Sequence, residues 1–165
     1  MPVVDFDSLY RDHAPAVLRF SYWLSGDRSW AEDITSETFI RVWTARERVD
    51  LATVTGYLLT IARRLYLQGI ARSKRTGEIE HDVEDARPDP LRRAEERAEL
   101  EAVVGDLQAL PEIDRAALLM RATDNLPYTE IAAALDLTVA NAKVKVHRAR
   151  LKLAQLRLRR GDTTR

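Results

Sequence analysis

From Thr138 to Arg160 the chain carries Lys143, Lys145, Arg148, Arg150, Lys152, Arg157, Arg159 and Arg160 and no acid. Phosphate contact rests on such local cation excess. Helical spacing divides the segment into two faces. Val139, Ala142, Val146, Ala149 and Leu153 fall on one side. Ala140, Asn141, Val144, His147 and Arg148 fall on the other, flanked by Lys143 and Lys145. Asn141 and Arg148 can each make bidentate contacts to base edges, and Val144 can touch a thymine methyl. The lysines suit phosphates, which set register without reading sequence. His147 on this face reads as a DNA contact or as plain surface.

A second stretch, Val54 to Arg75, holds Arg63, Arg64, Arg72, Lys74 and Arg75, again with no acid. Between the two lies an acidic bridge from Glu78 to Asp85. The whole chain is balanced, 26 basic against 26 acidic residues, so its average charge conceals the pattern. The acidic bridge is either a solvated tether or a nucleic-acid mimic.

Catalytic chemistry finds little support. The 165 residues include no cysteine, which excludes disulfides, thiolate metal sites and a thiol nucleophile. The three histidines, His13, His81 and His147, are scattered. Asp33 and Glu37 share a helical face, but two carboxylates without histidine are better read as dipole complement or partner contact. No Gly-rich phosphate loop or nucleophile–base pair is present, so catalytic residues, cofactor and metal are all expected to be absent, and no small-molecule substrate is expected. No apolar run is long enough to span a bilayer and the start lacks a signal-peptide plan, so the expectation is a cytoplasmic protein outside the membrane.

The elements that must position these residues are helices. Glycine and proline are few, and Leu, Ala, Glu and Arg dominate, so the fold class is all-α. A first helix starts at Asp7 or Ser8 and runs to about Leu24, with Leu9, Tyr10, Val17, Leu18, Ser21, Trp23 and Leu24 apolar-facing and Pro15 bending it or marking a short initial turn. Ser29 and Glu32 form a capping box for the second, which carries Trp30, Ile34, Phe39, Ile40, Val42 and Trp43. The third, Val54 to Ser73, has Val54, Leu58, Ile61 and Leu65 in one stripe. Tyr66, Leu67 and Ile70 widen it, for burial on two sides or for a partner.

Residues 76–90 lack periodicity and end in Arg87-Pro-Asp-Pro90, which marks a flexible linker. A charged helix follows from Leu91 to about Leu107, and Leu110-Pro111 opens another. Pro127 to Leu135 forms a short helix and Asp136-Leu137-Thr138 a turn, with Thr138 capping the basic helix. Ala132, Ala133 and Ala142 allow close crossing. Short helix, tight turn and longer basic helix make the helix-turn-helix plan. Two small domains result, 1–75 and 91–165. The run Arg157 to Arg160 is a solubilising tail or a further contact.

These residues resemble the bacterial RNA polymerase sigma factors of the extracytoplasmic-function (ECF) group, in the sigma-70 family. Ala31 to Trp43 (AEDITSETFIRVW) resembles the polymerase-binding helix, and Gly56 to Arg63 (GYLLTIAR) the start of the promoter-melting helix. Leu110-Pro111, Tyr128 to Ala132 (YTEIA) and Val146 to Leu151 (VHRARL) resemble the C-terminal helix-turn-helix.

The resemblance implies that residues 1–75 are sigma region 2, which binds core polymerase through the β′ clamp helices and holds the −10 element. It implies that residues 91–165 are region 4, which binds the β flap and the −35 element. Asp33, Thr35, Glu37 and Arg41 fall on polymerase-facing positions. Arg48 and Asp50, in the loop Glu47 to Thr53, fall with Arg63 and Arg64 on −10 positions. Asn141, Lys143, Val144, Lys145, His147 and Arg148 fall on the −35 reading helix. An anti-sigma protein is the further implied partner.

The chain departs from the family in having Arg64 and Gln68 where Asn and Asp are common. Asp136 stands where Gly is usual, and Pro127 where a Ser cap is usual. An ordinary helix-turn-helix regulator would leave residues 1–75 unexplained, and an adaptor that does not initiate transcription is the other alternative.

Overall fold

Side-chain oxygens at two aspartates set where the first helices begin. A computed structural model of the chain describes residues 5–45, 54–77 and 92–163. Helix α1 (Phe6–Ser25) is capped by Asp5, whose carboxylate accepts from Asp7 N at 3.2 Å and Ser8 Oγ at 2.8 Å. Asp5 thus replaces the expected cap at Asp7 or Ser8, because its carboxylate reaches both free donors. Pro15 lies exposed within α1, which continues through it as one element. Gly26 ends the helix at φ 74°, its N–H donating to Tyr22 O at 2.7 Å. A left-handed residue there favours glycine.

Helix α2 (Arg28–Thr44) is capped by Asp27, which accepts from Trp30 N at 3.0 Å. The capping box expected at Ser29 and Glu32 does not form. Asp27 sits before the first turn and fills that role, and Glu32 pairs outward with Arg28 at 3.5 Å. Helix α3 (Val54–Thr76) runs past the expected end at Ser73.

These three helices pack on Leu9, Val17, Phe20 and Leu24 of α1, Ile34, Phe39 and Val42 of α2, and Val54, Leu58, Leu59 and Ala62 of α3. Phe20, fully buried, was absent from the expected stripe. Burying such a ring is worth about 2 kcal/mol. Tyr10, expected on the apolar side of α1, is instead exposed by about half, and Ile40 and Trp43 of α2 are exposed to the same degree.

The rear half comprises α4 (Arg92–Gln108), α5 (Glu112–Ala122), α6 (Tyr128–Leu135) and α7 (Val139–Thr163). Ala116, Ala117, Met120, Ile131, Leu135, Ala142, Val146 and Ala149 form its interior. Ala132 and Ala142 are buried where α6 crosses α7, but Ala133 is exposed and takes no part in the crossing. Val139, expected inward, is 37% exposed at the start of α7. Among the described residues every regular element is a helix. None of them is long and apolar enough to cross a membrane. The acidic bridge lies outside the described residues.

The two halves touch directly. Gln108 Nε2 donates to Leu24 O at 3.0 Å, and Arg19 pairs with Asp124 at 3.4 Å. Arg63 donates to both carboxylate oxygens of Glu112, at 2.7 and 2.8 Å. Arg115 Nη2 donates to Tyr66 Oη at 3.1 Å. Tyr66 is therefore core, covered by Trp30 and Arg115, which at this residue favours burial over the alternative of an outside partner.

Candidate nucleic-acid interface

A left-handed residue aims the basic helix. Asp136 closes α6 at φ 55° and ψ 50°, and Leu137 N donates to Ala132 O at 2.9 Å. Aspartate tolerates this conformation better than most residues, so the turn survives without glycine. Thr138 Oγ1 then accepts from Asn141 N at 3.1 Å and caps α7. With Ala142, Val146 and Ala149 buried, the opposite side of α7 must face outward.

That outward side presents Asn141, Lys143, Val144, His147 and Arg148, all exposed. Donors, a methyl-bearing side chain and cations thus share one convex face of a size that a major groove admits. Lys145 stands apart. It is only partly exposed, and its ammonium lies 3.7 Å from Oδ1 of Asp114, a carboxylate with 3% side-chain exposure. The buried anion draws the Lys145 ammonium toward α5 and makes it the least exposed member of the expected phosphate-contact set. Tyr128, which opens α6, has the Arg121 guanidinium 4.6 Å and the Lys143 ammonium 5.7 Å from its ring centroid. That contact ties α6 to α7.

On the front half, Asp33, Ser36, Glu37, Ile40, Arg41 and Thr44 form one exposed stripe of α2. Glu37 and Arg41 pair along it at 3.4 Å. Thr35 is not part of the stripe. It is 6% exposed and its hydroxyl donates to Ala31 O at 2.7 Å, so it is an internal residue and not a polymerase-facing one. Beside the stripe lies an aromatic cluster that the sequence did not gather. Phe6 and Trp43 meet edge to face at 4.7 Å, and Tyr10 and Phe39 at 4.9 Å.

Of the residues expected at the −10 element, Arg48 and Asp50 lie outside the described residues. Arg64 and its neighbour Gln68 are exposed on α3. Arg63 is not an open cation, because Glu112 occupies its guanidinium and only 16% of the side chain is exposed. Glu112 and Arg115 were missed as functional candidates. Nothing local marks them, since their importance comes from α3, 49 residues earlier in each pairing.

Two family profiles fall on these elements. Sigma-70 region 2 matches residues 9–76, spanning α1 to α3, and Sigma-70 region 4 matches residues 106–153, spanning α5, α6 and most of α7. The chain belongs to the sigma-70 family, within its ECF group. It is 33% identical over 159 residues to the ECF RNA polymerase sigma factor SigE of Mycolicibacterium smegmatis, covering 90% of this chain and 60% of that one. It is 27% identical over 155 residues to the ECF RNA polymerase sigma factor SigM of Bacillus subtilis, covering 91% and 93%. The chain therefore spans 60% of the length of SigE and nearly all of SigM.

The fold matches the sigma factor RpoE of Bartonella quintana, solved with the anti-sigma factor NepR. The TM-score is 0.75 at 23% identity, with 92% of this chain and 96% of that one covered. It also matches CnrH, solved with the cytosolic domain of CnrY, at a TM-score of 0.65 and 22% identity, over 92% of this chain and 86% of that one. Most of α4 in this sigma-70 family member lies between the two matched regions.

Proposed function

We propose that this sigma-70 family member joins core RNA polymerase in the cytoplasm and directs promoter-specific initiation. In this reading residues 1–75 act as the module that grips the β′ clamp helices and holds the −10 element. Residues 91–165 act as the module that meets the β flap and reads the −35 duplex. The observation that carries the reading is the exposed Asn141–Arg148 face, set by a helix-turn-helix on a chain whose other half carries region 2. An anti-sigma protein is a fitting partner, since the solved structures of similar fold hold one or the cytosolic domain of another protein. Transcription with purified core polymerase over a promoter library tests the whole. Discrete start sites sharing two spaced elements are expected, and failure to associate with the polymerase would reject the reading.

Arg148 is the sharpest local test. Arg148→Ala is expected to cost about 1–3 kcal/mol of upstream DNA affinity if the side chain reads a base. The sequence preference at one upstream position should relax with it. Binding that weakens equally on every sequence would make Arg148 a phosphate contact instead.

The α2 stripe gives a second test. Asp33→Ala with Glu37→Ala is expected to weaken co-sedimentation with core polymerase several-fold, while upstream duplex binding persists. Both residues are exposed, so far-UV circular dichroism should be unchanged. Polymerase association at the wild-type level would remove the stripe from the interface.

A further inference from the structure

Arg63 and Tyr66 are one turn apart on α3, and Glu112 and Arg115 are one turn apart on α5. The two pairs meet as two rungs across the seam between the halves. In the first rung both Glu112 oxygens accept from the Arg63 fork, at 2.7 and 2.8 Å. A carboxylate and a phosphodiester offer the same paired anionic oxygens to a guanidinium, so they compete for one site. Glu112 also lies in the first turn of α5, where the helix dipole favours its negative charge.

We infer that Glu112 is an internal competitor for a strand phosphodiester at Arg63, and that the Arg63–Glu112 pair is a clasp holding the halves closed. This rests on the reading of α3 as the −10 helix and names how that site is regulated. Three features make the clasp releasable. The paired side chains remain 16% and 24% exposed, so water and phosphate can reach them. Two of the other direct bonds across the seam, from Gln108 and Arg19, have exposed donors. And Arg64, Arg72, Lys74 and Arg75 continue along α3 and supply cations for a strand that displaces Glu112. With the clasp closed, the reading face of α7 is open while Arg63 is occupied. The chain can then meet duplex upstream before it can hold a separated strand.

The full chain suits a direct test because it has no cysteine. Asp12→Cys and Gln155→Cys, both at exposed positions on opposite halves, would take a donor–acceptor dye pair. Glu112→Gln is expected to lower energy transfer, as is Arg63→Glu. The charge-swapped pair Arg63→Glu with Glu112→Arg should restore it. Binding of a fluorescent random-sequence 20-nucleotide single-stranded DNA at low salt gives the second readout. Glu112→Gln should bind it roughly three- to tenfold more tightly than wild type, and adding Arg63→Ala should abolish the gain.

Glu99→Gln removes the same charge from an exposed site on α4 and controls for net charge. An equal gain from Glu99→Gln, or no gain from Glu112→Gln, overturns the clasp. So does a charge swap that leaves the halves apart. Co-sedimentation of wild type and Glu112→Gln with core polymerase separates the two levels, because loss of both there counts against the sigma reading and not against the clasp.

Discussion

Arg115→Ala is expected to lower stability by about 3 kcal/mol, which is a large fraction of a small protein's total. Arg115 is 4% exposed, and its fork serves three acceptors at once. Nη1 donates to Leu110 O at 3.2 Å and Leu107 O at 3.3 Å, where α4 ends, and Nη2 donates to Tyr66 Oη at 3.1 Å. Carbonyls at a helix C-terminus lack partners within the helix and favour a cation, so the guanidinium both bonds them and complements the dipole. Leu107 O keeps a second donor, Leu110 N at 3.1 Å, but Leu110 O and the phenol lose theirs. A buried polar group left unpaired costs about 1–3 kcal/mol, and two of them set the expected figure.

Urea unfolding followed by far-UV circular dichroism measures the loss. A second readout distinguishes this network from simple loss of packing. Burial raises the Tyr66 pKa above its ordinary value, and the positive charge of Arg115 opposes that rise. Removing the charge leaves burial unopposed, so the Tyr66 phenol should ionise at still higher pH. Arg115→Lys keeps the charge but loses the fork, and is expected to recover only part of the stability. A loss under about 1 kcal/mol for Arg115→Ala would mean that water reaches these acceptors.

The dependence on Arg115 shows why the sequence yields the elements more readily than the seam between them. Helix periodicity is local. The stripe Val54, Leu58, Ile61 and the buried Ile131, Leu135 and Val146 could be read from spacing alone. So could the Asp136 turn and the Thr138 cap, because each acts on a neighbour within a few residues. Caps fail where two oxygen-bearing residues compete. Asp27 and Ser29 both suit the start of α2, and only the backbone path decides for Asp27.

Faces fail where three elements meet. Tyr66 and Ile40 both extend an apolar stripe, yet one is covered by Trp30 and Arg115 while the other stays exposed. The candidate site divides in the same way. Asn141, Val144 and Arg148 follow from the period of α7. The turning of Lys145 toward Asp114 and the capture of Arg63 by Glu112 depend on tertiary partners 31 and 49 residues away, the first separation being 145 minus 114.

Gly69→Ala shows the same tertiary control in a single methyl group, and its sign opposes the local rule. In an exposed helix interior alanine is about 1 kcal/mol better than glycine. At Gly69 a Cβ would lie well inside van der Waals contact with Cζ2 of Trp30, which crosses the α3 backbone at this point. The indole is also held by its contact with the Tyr66 ring, at a centroid distance of 5.0 Å, which opposes its yielding. Overpacking of this kind costs about 1–3 kcal/mol or more, which exceeds the propensity gain.

A net loss of about 2 kcal/mol is expected, or roughly 4–8 °C in Tm for a chain of this size. Gly105→Ala on α4 is the matched control. A Cβ there meets nothing within 4 Å, so propensity alone should act and stability should rise by up to about 1 kcal/mol. Trp30→Ala removes the obstructing ring, and in that background Gly69→Ala should cease to be destabilising. If Gly69→Ala instead gains stability in the wild-type chain, Trp30 is free to swing aside. The Trp30 ring would then not be rigidly packed against α3 and Tyr66.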